Sequence, residues 1–310
     1  MPSDAMALQS THTDPLRPTD VVPAKMPHAP AAALPANACD THSHVFGPYE
    51  RFAFSTASSY PPPLAPFDTY LAMLDTIGAG RGVLVQPAPY GTDNTALADA
   101  LVRGKGRIRG VAVLDANADD ATLTALEHSG VRALRFNEMP VPQTGKPYPG
   151  SVGMSAALAL ASRMRDIGWH AQVWARCADV PSIADKLANV GLPVVFEHMG
   201  CFDPALGTRH ADFQNLLALL REGRIAVKLA VCRVSKQAPH YTDLRPFHDS
   251  MIEANPRQLL WASDWPYVRM GDAAPDVGAL LDTFTEWVDD AAIRKAILVD
   301  NPARVYGFER

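Results

Sequence analysis

The stretch MSAALALASRMRDIGWHAQVWARCADVPSIADKLANVGLPVVFEHM, residues 154–199, decides the fold. Its opening segment, 154–168, carries apolar side chains at helical spacing and stops at Gly168, a residue that turns left-handed at little cost. WHAQVWA (169–175) is short, apolar and aromatic, the composition of a buried strand. A second helical pattern runs to Gly191, and PVVFEHM (193–199) reads as the next strand. Two strands joined by a helix lie parallel, because a parallel pair needs a crossover.

The same alternation extends both ways. Strands are expected at CDTHSHVF (39–46), GVLVQP (82–87), IRGVAVL (108–114), VRALRFN (131–137), IAVKLAV (225–231) and QLLWASDW (258–265). Helical patterns include 68–78, 94–104, 213–223 and a long C-terminal one at 277–297, and Gly78, Gly104, Gly130 and Gly223 stand where helices should stop. Eight strands and eight helical segments within about 270 residues are the size of a closed TIM barrel, (β/α)8. An open doubly wound sheet is disfavoured, since no GxGxxG loop follows any strand. The expected architecture is one barrel, residues 37–310, behind a disordered or loosely attached tail, 1–36, that holds seven of the 27 prolines.

The net charge of −5 argues against a nucleic-acid or anionic-membrane binder, whose footprints are basic. No apolar run approaches the ~20 residues that span a bilayer. Four cysteines without a CxxC pair build neither a disulfide scaffold nor a zinc knuckle, so a cytoplasmic setting is expected. Cys201 and Cys232 follow strands six and seven, but no elbow motif exposes either thiol, and all four cysteines are read as incidental.

In such a barrel the active site lies at the C-terminal ends of the strands. There this chain places His42 and His44 on one side of strand one, Arg135 and Asn137 on strand four, and Glu197 and His198 after strand six. Lys228 and Arg233 belong to strand seven and its exit, and Ser263, Asp264 and Tyr267 to strand eight. One histidine in a strand is ordinary; three histidines, an aspartate and arginines converging on one mouth are a site.

DTHSH, EHMG and SDWP, in this order, together with the closing NPARVYGF (301–308), resemble the amidohydrolase superfamily, in its branch of small lactonases and decarboxylases. DTHSHVFGPYERF, LVQPAPYGTDN (84–94), RALRFN and GWH are similar to the 2-pyrone-4,6-dicarboxylate lactonases of that branch. The resemblance implies hydrolysis of a carboxylated lactone in the catabolism of an aromatic compound or a sugar acid. It assigns Asp264 to activating water, His42, His44 and His198 to polarising the carbonyl, and Arg135 to anchoring a carboxylate.

Several carboxylate-gripping groups of those lactonases are replaced here. Glu138-Met139-Pro140-Val141 stands where they have a second arginine, Cys201 follows HMG, and Ala88, Trp174 and Tyr267 replace a serine, a tyrosine and a histidine. A less anionic lactone is therefore expected, with Trp174 and Tyr267 adding aromatic surface. Asn137, Tyr49, Arg176 and Arg233 complete the expected substrate contacts, and segment 45–66, with Tyr49 and Tyr60, is expected to form part of a lid.

His42, His44, His198 and Asp264 could alternatively hold one divalent ion, zinc or manganese. Against this, His170 opens strand five instead of ending it, and strand four offers Arg135, a cation. No cofactor is expected. The competing functions are a sugar-acid lactone isomerase, of the galactarolactone isomerase kind, and a metal-dependent decarboxylase or hydrolase. The expected partner is a small lactone, with neither nucleic acid nor membrane, and the sequence leaves room for a homo-oligomer.

Overall fold

The computed structural model describes residues 21–309, apart from 57, 59, 61 and 143. Its strands are β1 (Cys39–Ser43), β2 (Arg81–Val85), β3 (Ile108–Ala112), β4 (Val131–Asn137), β5 (His170–Trp174), β6 (Val194–Phe196), β7 (Ala226–Leu229) and β8 (Leu259–Trp261). Each pairs in parallel with the next in chain order. The helices α1 (Phe67–Ile77), α2 (Thr95–Arg103), α3 (Asp120–Ser129), α4 (Met154–Asp166), α5 (Val180–Asn189), α6 (Ala211–Arg221), α7 (Arg245–Ala254) and α8 (Val277–Trp287) follow the strands in turn. This is the expected (β/α)8 barrel.

Local chemistry explains the punctuation. Asp119 starts α3 by accepting from the Thr122 N–H, and Gly130 ends it at φ 110°. Gly104 departs from expectation: its φ is −72°, and it continues the right-handed turn of α2. The pattern at 277–297 also breaks, because Asp290 accepts from the Ala292 and Ile293 N–H groups and begins a new helix, α9 (Ala291–Lys295). A wider turn, Ala296–Asp300, then leads into α10 (Asn301–Tyr306).

β8 meets β1 without a regular ladder. The Asp264 N–H donates to the His42 carbonyl at 2.8 Å, and the His44 N–H donates to the Trp265 carbonyl at 2.9 Å. The buried Asp40 carboxylate completes the seam, accepting from Ser263 N (2.9 Å), Ser263 Oγ (2.5 Å), Ser43 Oγ (2.7 Å) and His42 N (3.2 Å).

Of the expected tail, residues 1–20 lie outside the described residues. Residues 21–36 correct the expectation of loose attachment, for they form a strap against the barrel. Trp265 Nε1 donates to the Lys25 carbonyl (3.1 Å), the His28 N–H to Asp276 (3.0 Å) and the Ala31 N–H to Asp282 (2.7 Å). Satisfying these backbone groups through side chains of the barrel lets an irregular, proline-rich segment lie down. Among the described residues no helix is long and apolar enough to cross a membrane.

Candidate active site

A cavity of about 480 Å³ opens at the C-terminal ends of the strands. His42 ends its run inside β1 and His44 follows it, so the two rings leave the same side, with centroids 5.0 Å apart and edge to face. The His198 ring lies 5.1 Å from that of His42. His198, Met199, Gly200 and Cys201 all have left-handed backbones, φ 48°, 55°, 75° and 49°, so β6 ends in a tight reversal at the mouth. At Gly200 a Cβ would be strained by the backbone and would lie 2.2 Å from Leu216 Cδ1, so a larger residue there would have to displace that buried leucine. Asp264 is left-handed too, at φ 62°. Non-glycine residues held in this region cluster at functional sites.

Asp264 Oδ1 stands 3.4 Å from His42 Nε2 and 3.3 Å from His44 Nε2, while Arg233 Nε donates to Oδ2. Burial alone would raise this carboxyl, but Arg233 and the three histidines outweigh it and hold Asp264 well below the usual carboxylate range. His44 Nδ1 lies 2.8 Å from the Val85 carbonyl. A carbonyl only accepts, so Nδ1 carries a proton, and Nε2 is the ring nitrogen that faces Asp264. His198 Nε2 is 3.5 Å from Glu197 Oε2, and burial brings this ring down to about 4, neutral at physiological pH.

A buried polar layer lies beneath. Arg135 donates through Nε (2.9 Å) and Nη2 (2.7 Å) to both oxygens of Glu197. Burial pushes Glu197 up, yet Arg135 and His198 outweigh it and leave the carboxyl at about 2. Gln172 Nε2 donates to Glu197 at 2.6 Å, and Lys228 Nζ lies 2.6 Å from Gln172 Oε1, 2.6 Å from the Thr41 carbonyl and 3.4 Å from His42 Nδ1.

Of the expected residues, His44, His198, Asp264, Arg135, Asn137, Trp174 and Arg233 line the cavity, and His42 sits behind the first three. Three expectations are corrected. Arg176 points outward, 62% exposed, and pairs with Asp179 at 2.8 Å, because the chain turns away one residue after β5. The Tyr49 hydroxyl donates to the Pro63 carbonyl at 2.8 Å, which turns this side chain away from the cavity lining. Tyr267 is buried behind the wall, with its hydroxyl among side chains instead of in the cavity. Arg135 and Arg233 reach the cavity already paired with carboxylates, and Asn137 Oδ1 accepts from the Met139 N–H at 2.8 Å.

The lining also includes Tyr60, Gln86, Met139, Tyr148, Lys236 and Arg269. Tyr60 belongs to the expected lid. Tyr148 stacks on Trp174 at 5.4 Å and accepts from Arg269 Nη1 at 2.9 Å. Its signal in the sequence is the long Pro- and Gly-rich connection, 138–153, after β4. The four cysteines are free, and burial pushes Cys201 and Cys232 up to about 12, far from a thiolate nucleophile.

Two trios, His42–His44–Asp264 and His42–Glu197–His198, bring ligand-type atoms within 4.8 Å of one another. Ligating histidines give their second ring nitrogen to an acceptor. His44 does so, but His42 Nδ1 faces the Lys228 amine, and the second oxygen of Asp264 is held by the Arg233 guanidinium. Glu197 in turn is held by Arg135. With a cation at each of these groups, the donor set does not fit a resident divalent ion. His170 lies buried against Tyr306, ring centroids 5.2 Å apart, beneath the polar layer.

The amidohydrolase family description matches residues 39–308. A 2-pyrone-4,6-dicarboxylate hydrolase from Comamonas testosteroni is 33% identical over 290 residues, 90% of this chain and 93% of its own. A 4-sulfomuconolactone hydrolase from Rhizobium radiobacter is 32% identical over 296 residues, 93% and 97% of the two chains. The solved structure of a candidate 2-pyrone-4,6-dicarboxylic acid hydrolase from Pseudomonas putida superposes with a TM-score of 0.76 at 30% identity, covering 89% of this chain and all of the other.

Proposed function

The chain belongs to the amidohydrolase family, and from that premise we propose that it hydrolyses a carboxylated lactone without a metal ion. The observation that carries this reading is the division of Asp264, with one oxygen held by Arg233 and the other turned toward the Nε2 atoms of His42 and His44. A water in the cavity beside Asp264 Oδ1 would meet an ionised acceptor, which is what a nucleophilic water needs. It attacks the lactone carbonyl, whose oxygen gathers negative charge near His42 and His198. The ester C–O bond then breaks, and the proton taken by Asp264 passes to the departing oxygen. Relatives that act on a pyrone dicarboxylate and on a sulfomuconolactone support the substrate class.

Arg135, Arg233, Lys236 and Arg269 against Asp203 and Asp264 make the lining favourable to an anion. Met139, Trp174, Tyr148 and Val234 give it an apolar wall, and Arg135 has two N–H groups committed to Glu197 and a third, on Nη1, to the Gln86 carbonyl at 3.3 Å. The reading is a lactone with one carboxylate and an apolar face, less anionic than a pyrone dicarboxylate, derived from an aromatic compound. The free cysteines support a cytoplasmic setting.

The test is pH-stat turnover of a panel of carboxylated lactones by EDTA-treated wild type and by Asp264→Asn. Turnover should survive chelation and disappear in the variant. Loss on chelation with recovery in zinc or manganese would overturn the metal-free reading, and efficient turnover of the pyrone dicarboxylate would overturn the altered substrate. Hydrolysis in 18O-water labels the new carboxylate; an unlabelled product would make the reaction an isomerisation.

A further inference from the structure

We propose that Lys228 is a positioning residue for this hydrolysis, fixing the proton of His42 on Nε2, the nitrogen that faces Asp264 and the carbonyl site. The inference rests on the lactonase reading for its kinetic consequence and stands apart from it for its spectroscopic one.

The side chain of Lys228 is completely buried in the barrel interior. An ammonium in such a place is costly unless each N–H meets an acceptor. The acceptors can be assigned by elimination, beginning from the far end of the polar layer. Glu197, ionised beside Arg135, can only accept, so the Gln172 atom 2.6 Å from it is the amide nitrogen. The Gln172 oxygen therefore faces Lys228, at 2.6 Å. The Thr41 carbonyl, also at 2.6 Å, accepts a second N–H. The remaining neighbour is His42 Nδ1 at 3.4 Å. A proton on that nitrogen would point at an ammonium. With Nδ1 as the lone pair, the third N–H of Lys228 has its acceptor and the ring proton moves to Nε2. Burial and the adjacent ammonium keep the ring neutral by lowering His42 well below its ordinary value.

The consequence reaches the reacting atoms. His42 Nε2 is buried without a hydrogen-bond partner, 3.4 Å from Asp264 Oδ1. Carrying the proton, it can donate to the oxygen of the tetrahedral intermediate, while His44 keeps a proton on Nδ1 against the Val85 carbonyl. Two histidines two residues apart thus take complementary roles because their Nδ1 atoms meet opposite partners, an ammonium and a carbonyl.

The experiment is long-range 1H–15N NMR on the full chain labelled at the histidine ring nitrogens, at pH 6, with His42→Asn identifying the signal. This is the acid side of Lys228, which burial brings down to about 7. Wild type should show a protonated Nε2 and a pyridine-type Nδ1 for His42. Lys228→Met should lose that preference, and its kcat should fall at least about tenfold with KM within about threefold, as for the partners that orient a functional histidine. A protonated Nδ1 in wild type overturns the proposal even if the variant fails to fold. So does a variant that keeps the tautomer, or one that loses it with kcat unchanged. Absence of turnover across the lactone panel would instead sink the lactonase reading and leave the tautomer result standing.

Discussion

Asp264 occupies a backbone region that costs an aspartate little and a bulkier residue more, and it does so just past β8, across the seam from His42 in β1 and His44 beyond its end. Arg233 is the largest of the influences that hold its carboxyl down. Arg233→Met should therefore raise the Asp264 pKa, and the acid limb of kcat/KM should move to higher pH. A pH–rate profile with an unmoved acid limb would contradict this. At this scale much of the site could be read in the chain: HxH on a strand and an aspartate after another name groups on one rim. Arg176 and Tyr267 could not be read the same way. Each lies past the last strand residue, where one turn of backbone decides between cavity and exterior.

Among the elements, the β8–β1 seam depends most on a single side chain. Asp40 receives four hydrogen bonds there, two of them from Ser263, 223 residues away in sequence. Asp40→Asn would set amide hydrogens against the Ser263 N–H and leave buried donors unmatched, at a cost of about 2–4 kcal/mol. Denaturant unfolding should show it as a lower midpoint with an unchanged slope; an unchanged midpoint would mean the backbone bonds close the barrel alone. The strand pattern announces that β8 must meet β1. That a carboxylate joins them depends on a long-range distance, and no local spacing encodes it. The split of 277–297 was closer to the surface of the sequence, since Asp290 is an N-cap residue inside a helical pattern.

For the whole molecule, alternation of apolar strands and amphipathic helices made the barrel legible, while the cavity wall came from long connections whose paths alternation does not fix. The buried charges also give the folded protein a pH dependence. His198 and His170 are lowered by burial to about 4 and about 3, and Glu197 lies at about 2. All three folded values are depressed, so below the unfolded values the unfolded chain binds more protons and stability is lost as the pH falls. For the histidines this begins near 6.5, at up to about 1.4 kcal/mol per pH unit each, and Glu197 adds to it below about 4.5. Tm should thus rise from pH 4.5 to 7, and a flat or falling curve would refute the assignment. Finally, the cations of the floor are already matched, Arg135 to Glu197 and Arg233 to Asp264, whereas Met139 and Val234 hold no charge in place. Catalysis and appetite are therefore written in separate parts of the pocket. Selection, natural or in a mutant library, can redraw the wall to admit a new molecule while the reactive floor is inherited intact.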